Sequence, residues 1–159
     1  MAHQPGKERS MNITVIGRGN IGGGPADLWE RAGHQVTRLG RGGGDVGASE
    51  AVLLAVPGTA VEVALSSVVG LEGKTVLDAT NLYGGARPPA GFSSNAEYVK
   101  SVTGGPTAKA FNTNFASLLG QIADARVQPS NLCPVTTKPN ALSGSSVSTP
   151  GTTRSAWVT

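Results

Sequence analysis

One cysteine, two histidines and an aromatic content of 4% remove several chemistries from this 159-residue chain before any motif is considered. A lone Cys133 cannot form an internal disulfide, and with only His3 and His34 beside it no metal site is expected. A reducing, cytoplasmic setting is the expected one. No apolar run reaches the length of a membrane span and no secretory leader is recognisable, so neither a membrane nor export is expected. Acidic residues are missing after Asp124. That gap accounts for the net charge of +3: up to Asp124 ten basic side chains meet ten acidic ones, and the excess is Arg126, Lys138 and Arg154. Without a clustered basic face or aromatics for stacking, nucleic acid is not an expected partner. The length suits one domain with a core of its own.

Glycine is what the chain has in quantity, 23 residues, and three of them stand in a telling place. In N-I-T-V-I-G-R-G-N-I-G-G-G, from Asn12 to Gly24, an apolar strand runs straight into Gly17, Gly19 and Gly22 in G-x-G-x-x-G spacing. Each glycine has its own reason in a dinucleotide site. Gly17 lets the chain turn sharply out of the strand, Gly19 has no Cβ to hold off a pyrophosphate, and Gly22 lets the following helix pack closely on the sheet. The pyrophosphate would sit on the N–H groups that open the helix, so the whole loop, Gly17, Arg18, Gly19, Asn20, Ile21 and Gly22, is a candidate cofactor contact. Ile21, Leu28 and Ala32 fall on one face of the expected helix.

Strand-like and helix-like segments then alternate, which predicts a mostly parallel, doubly wound α/β sheet. Gln35 to Leu39 reads as the second strand, and the glycine-rich stretch from Gly40 to Gly47 as a flexible connection. Ala51 to Val56 is a continuous apolar run of the kind a central parallel strand needs, ended by Pro57 and Gly58. Val61, Ala64, Leu65 and Val68 recur at helical spacing, Thr75 to Asp78 is a fourth strand, Ser94 with Glu97 forms a capping box, and Ala108 to Phe111 is a fifth strand. Ligands are expected at the carboxyl ends of these strands.

At the end of the second strand an acid would hold a ribose 2′-OH, but no Asp or Glu occurs between Glu30 and Asp45. Arg38 and Arg41 occupy the region, and a guanidinium suits a phosphate dianion, so NADP is expected over NAD. Strand alternation makes Arg38 the bystander of the two. Arg18 can reach a phosphate or face solvent. The polar clusters Asp78 to Asn81 and Asn112 to Asn114 end buried strands, where they serve either as turn caps or as ligand contacts. Lys109, inside a strand, is either a buried ion pair or an edge charge. His34 precedes the second strand, away from the expected site, and reads as a loop residue. No catalytic side chain is assigned.

The ordered motifs I-T-V-I-G-R-G-N-I-G, G-H-Q-V-T-R-L-G-R, V-L-L-A-V-P, K-T-V-L-D-A-T-N and K-A-F-N-T resemble the NADPH-dependent F420 reductase family, F420-dependent NADP oxidoreductases related to the N-terminal domain of pyrroline-5-carboxylate reductase. The resemblance runs from about Met11 to Leu132 and implies a Rossmann domain over 11–132. It implies that Gly40 and Arg41 meet the adenosine 2′-phosphate and that Ala55, Val56 and Pro57 line the cofactor. Thr80, Asn81, Asn112 and Thr113 would border the place where the nicotinamide and deazaflavin rings meet. NADP(H) is the implied cofactor and coenzyme F420 the second substrate, with hydride passing between nicotinamide C4 and deazaflavin C5 and no side-chain nucleophile required. A homodimer is the assembly the resemblance allows for. Two other readings stay open: an NADP-binding module without efficient turnover, and a reductase of a small imine or carbonyl, which would need a proton donor.

Both ends break the pattern. Residues 1–10 are polar and read as a disordered leader before Met11. From Cys133 to Thr159 the chain is rich in Ser, Thr and Pro with no acid, a composition that cannot bury a core. This segment is expected to be non-native or disordered, and specifically a frameshift product. Loss of one G from a Trp codon followed by a Ser codon would generate Cys133 and every residue after it. The shifted frame, written with G or C in third positions, restores an acid-led amphipathic helix and a glycine stop.

Overall fold

The computed structural model describes residues 9–111 and, for its backbone, a short strand at 132–134. The apolar runs become the strands of one sheet: β1 (Asn12–Ile16), β2 (Gln35–Leu39), β4 (Ala51–Leu54), β6 (Thr75–Asp78) and β7 (Thr107–Ala110). Their order is β2-β1-β4-β6-β7, all parallel, with β8 (Leu132–Pro134) added antiparallel against β7. The last strand straddles the expected boundary at Cys133. Helix α1 (Asn20–Arg31) follows β1, α2 (Val61–Ser66) follows β4 through a single 3₁₀ turn at Gly58–Ala60, and α3 (Asn95–Thr103) precedes β7.

The sheet is buried on both faces. Val52 and Leu54 of β4 join Val61, Leu65, Val76 and Val99 in one cluster, while Ile13, Val15 and Leu53 join Ala26 and Trp29 of α1 in another. Alternate residues of a strand point to opposite faces, so a fully apolar β4 is what a strand covered on both sides requires. The expected doubly wound α/β sheet is therefore the fold. Its strand order reverses between β1 and β4, and in such sheets the crevice beyond the carboxyl ends at that switch is where ligands sit.

Five local expectations are corrected. The buried face of α1 is Gly22, Pro25, Ala26 and Trp29, with Ile21 and Leu28 only half-buried and Ala32 exposed beyond the helix. The rotation follows from Gly22: the face that can approach β1 is the one without side chains at its start. The Gly40–Gly47 connection is not featureless, because β3 (Gly44–Asp45) pairs in parallel with β5 (Val68–Val69), and Val46 beside it is buried. Val68 accordingly leaves the helical pattern and enters a strand. Ala55 and Val56 lie past the end of β4 and are half-buried. The fifth strand is one residue earlier than expected, and Phe111 after it takes φ 59°, with its ring 6.1 Å from that of Trp29 in an edge-on contact.

Ser94 caps α3 by accepting from Glu97 N, while Glu97 Oε2 accepts from Ser93 N at 2.9 Å; the reciprocal arm of the box is shifted by one residue. Of the segment read as a leader, Arg9 pairs with Glu50 and the Ser10 hydroxyl donates to Gly33 O at 2.8 Å. No helix among the described residues is long and apolar enough to cross a membrane.

Candidate functional site

Three loops meet at the switch point, those after β1, β4 and β6, and they meet main chain to main chain. Gly17 has φ 114°, which L side chains rarely adopt, and a Cβ there would overlap the carbonyl oxygen of Ala55. A Cβ on Gly22 would overlap Gly17 O and stand 3.0 Å from Val15 Cγ1. A Cβ on Gly58 would overlap Asn81 O. Gly19 is different: nothing lies within 4 Å of where its Cβ would be. The middle glycine of the motif thus borders open space, while the outer two are closed in by the protein itself.

That open space is a cleft of about 650 Å³. Gly19, Asn20 and Ile21 line it from the β1 loop, Ala55 to Thr59 from the β4 loop, and Ala79, Asn81, Tyr83 and Ala86 from the β6 side. The N-terminus of α1 opens beside it. Gly19 is its N-cap, no side chain caps it, and its first turn carries no acid. The uncompensated N–H groups and the positive end of the helix dipole are therefore available to an anion.

The three arginines separate cleanly. Arg38 Nη2 donates to Asp27 Oδ1 at 2.6 Å and to Glu30 Oε2 at 2.8 Å, and these hydrogen bonds, Asp27 first, push its pKa above the ordinary arginine value. Its charge is matched by α1. Arg18 Nη2 donates to Arg38 O at 3.1 Å, which lays the guanidinium along Gly40, its Nε 3.5 Å from where a Gly40 Cβ would be. Arg41, next in the chain, is exposed. Among the described residues neither Arg18 nor Arg41 is paired with a carboxylate.

Behind the cleft, a polar network fixes the β6 loop. Asp78, wholly buried, accepts from Thr80 N through Oδ1 at 2.8 Å and from Lys109 Nζ through Oδ2 at 2.9 Å. Lys109 also donates to Thr80 O. Asn95 Nδ2 donates to Thr80 Oγ1 at 3.0 Å and to Gly58 O at 2.9 Å, tying the β6 loop to the β4 loop, while its own Oδ1 has no partner among the described residues. Lys109 is thus a half-buried ion pair rather than an edge charge. His34 Nδ1 accepts from Met11 N at 3.2 Å, a structural contact away from the cleft.

Of the candidate residues read from the sequence, Gly19, Asn20, Ile21, Ala55, Val56, Pro57 and Asn81 line the cleft. Gly17 and Gly22 shape the loop from beneath, and Arg18, Gly40 and Arg41 form a separate cluster at the end of β2. Thr80 is buried with its hydroxyl taken up by Asn95. Asn112 and Thr113 lie outside the described residues. Sequence reading passed over Gly58, Thr59, Ala79, Tyr83 and Ala86. The signal for the last two was Y-G-G-A, a tight-turn sequence directly after the polar end of a strand. No group of three or more metal-ligating side chains occurs among the described residues.

No family model matches the chain, and no curated protein matches it. Solved structures do. A protein of Arthrobacter sp. FB24, provisionally assigned as an F420-dependent NADP reductase, matches with a TM-score of 0.57 and 23% identity over 69% of this chain and 66% of its own. An oxidoreductase assignment, also provisional, stands on a Pseudomonas putida protein with a TM-score of 0.52 and 15% identity, covering 73% of this chain and 45% of that one. The reductive aminase of Aspergillus terreus, solved with NADPH and ethyl levulinate, gives 0.51 and 18%, over 69% and 44%. The chain spans less than two thirds of the length of each of these structures. What they share with it is the Rossmann-type, mostly parallel α/β fold.

Proposed function

We propose that this chain binds NADP(H) and that its activity is hydride transfer between NADPH and the deazaflavin coenzyme F420. The observation that carries the cofactor half is the uncapped, acid-free N-terminus of α1 beside the one motif glycine that faces open space. The pyrophosphate of a dinucleotide fits there, with the N–H groups of Asn20 to Gly22 as donors. The guanidinium groups of Arg18 and Arg41, at Gly40 and without a carboxylate partner among the described residues, suit the 2′-phosphate that distinguishes NADP from NAD. Ala55, Val56 and Pro57 give an apolar wall for the nicotinamide end, and the Asp78–Lys109–Thr80 network holds the facing loop in place. When bound, the nicotinamide would supply the hydride, and the residues of the chain position it.

The F420 half rests on the order of motifs and is supported by the provisional assignment of the Arthrobacter protein. A second reading, reduction of a small imine or carbonyl, is supported by the reductive aminase complex with NADPH. A third reading is NADP binding without efficient turnover. Nicotinamide fluorescence on titration with NADPH tests binding. Absorbance decay of NADPH with F420, and separately with a cyclic imine, then tells the readings apart. Oxidation that needs F420 supports the first; oxidation with the imine alone supports the second. Binding with neither supports the third, and no binding overturns all three.

A further inference from the structure

Among the described residues that line the cleft, Tyr83 is the one aromatic ring and the one ionisable side chain; the rest are Gly, Ala, Ile, Val, Pro, Thr and Asn. It is 75% exposed, so the core does not account for it. Two observations show that it is held rather than left to wander. Its hydroxyl oxygen accepts from Asn81 Nδ2 at 3.0 Å. Its carbonyl accepts from Ala86 N at 3.1 Å, closing a turn whose central residues, Gly84 and Gly85, have φ 62° and 80°. Only glycine enters that pair of conformations without strain, and the turn sets both its ends, Tyr83 and Ala86, on the cleft. With the amide donating to the phenol oxygen, the phenol proton remains to be donated elsewhere.

We propose that Tyr83 is the wall against which the second substrate packs, and that it selects a planar, conjugated hydride acceptor. The inference deepens the oxidoreductase reading and rests on it. A ring with most of its surface in water gains by covering a face with another flat π system, and among the described residues the cleft offers no other aromatic platform. The Asn81 tether lowers the rotational freedom that stacking would otherwise remove. Because the ring is exposed, its replacement leaves the fold intact, so its binding role is separable from stability.

The test is equilibrium titration of the full chain, saturated with NADP⁺, by two planar probes: coenzyme F420, followed by its own fluorescence, and dihydroisoquinoline, followed by calorimetry. Wild type, Tyr83→Phe and Tyr83→Leu are compared, with NADPH affinity and melting temperature measured for each. The expected result is unchanged melting in all three, planar-probe affinity within about twofold for Tyr83→Phe, and a loss of about tenfold for Tyr83→Leu; a loss of NADPH affinity in Tyr83→Leu as large as that of the planar probes overturns the proposal by giving the ring to the cofactor. Equal affinities in wild type and Tyr83→Leu overturn the proposal, as does failure of wild type to take up either planar probe. Failure with F420 alone overturns the F420 reading while the dihydroisoquinoline series still decides Tyr83. A loss in Tyr83→Phe as large as in Tyr83→Leu overturns stacking in favour of the hydroxyl.

Discussion

Lys109 of β7 stands directly opposite Asp78 of β6 in the parallel register, its ammonium 2.9 Å from a carboxylate oxygen that no solvent reaches. The pair closes the carboxyl end of two adjacent strands. It also fixes Thr80, through the Asp78 bond to its N–H and the Lys109 bond to its carbonyl. A structural ion pair thereby sets the path of the loop that carries Asn81 and Tyr83.

Removing one partner should cost more than removing both. Lys109→Met leaves a buried carboxylate without its cation and is expected to destabilise by about 2–3 kcal/mol, toward the low end for buried pairs because Lys109 keeps some exposure. Asp78→Asn combined with Lys109→Met should recover part of this, since an amide oxygen can still accept from Thr80 N. Urea denaturation of the two variants checks the order; a double variant less stable than the single would contradict it.

Glycines 19 and 22 should separate binding from folding. Gly22→Ala forces a methyl against Gly17 O and is expected to cost about 1–3 kcal/mol of stability. Gly19→Ala meets nothing in the protein and should leave the melting temperature within a degree or two, while weakening NADPH by about tenfold or more through contact with the pyrophosphate. Thermal melts and fluorescence titration on the same samples measure both. A Gly19→Ala protein that binds NADPH normally would remove the pyrophosphate from this loop.

The arginines should divide in the same way. Arg41→Ala and Arg18→Ala are each expected to lower NADPH affinity by about tenfold with NADH affinity nearly unchanged, as loss of a charged hydrogen bond to a phosphate dictates. Arg38→Ala, whose charge is already matched by Asp27 and Glu30, should keep the ratio of NADPH to NADH affinities within about twofold. Parallel titrations with the two nucleotides decide; a collapse of that ratio in Arg38→Ala would reassign the phosphate contact.

If the segment from Cys133 to Thr159 is a shifted reading frame, restoring one G in the codon read as Cys133 should raise melting temperature and NADPH affinity together. Resequencing the coding DNA from Asn131 to Thr159 comes first. Equal stability and affinity in the two versions would count against the shifted frame.

Much of the fold was legible because its strands are buried on both faces. Ala51–Val56, two residues longer than the strand it contains, and Thr75–Asp78 read as strands from apolar content, and the three-glycine spacing located the β1 loop. What was not legible depends on contacts between distant segments. The β3–β5 ladder is two residues long on each strand and draws on a glycine-rich stretch, so no periodicity could announce it. The face of α1 was misread because Gly22 and Pro25, neither of them a typical core residue, are the ones that pack. The resemblance set Thr80 beside the ligand, and its bond from Asn95, fifteen positions later, is one that no local spacing announces. Tyr83 stood in a loop where neither helical nor strand spacing applies, and only the cleft gives it meaning.

The main-chain contacts of Gly17 with Ala55, Gly22 with Gly17 and Gly58 with Asn81 bear on how ligands will be told apart. Loops held by side chains sample rotamers and must be frozen when a ligand arrives, at about 0.5–1.5 kcal/mol for each flexible side chain immobilised. Here these three points of the rim are braced by peptide groups, which have no rotamers to lose. Differences in affinity among related nucleotides should then report what each ligand touches, with little masking by the cost of arranging the receptor.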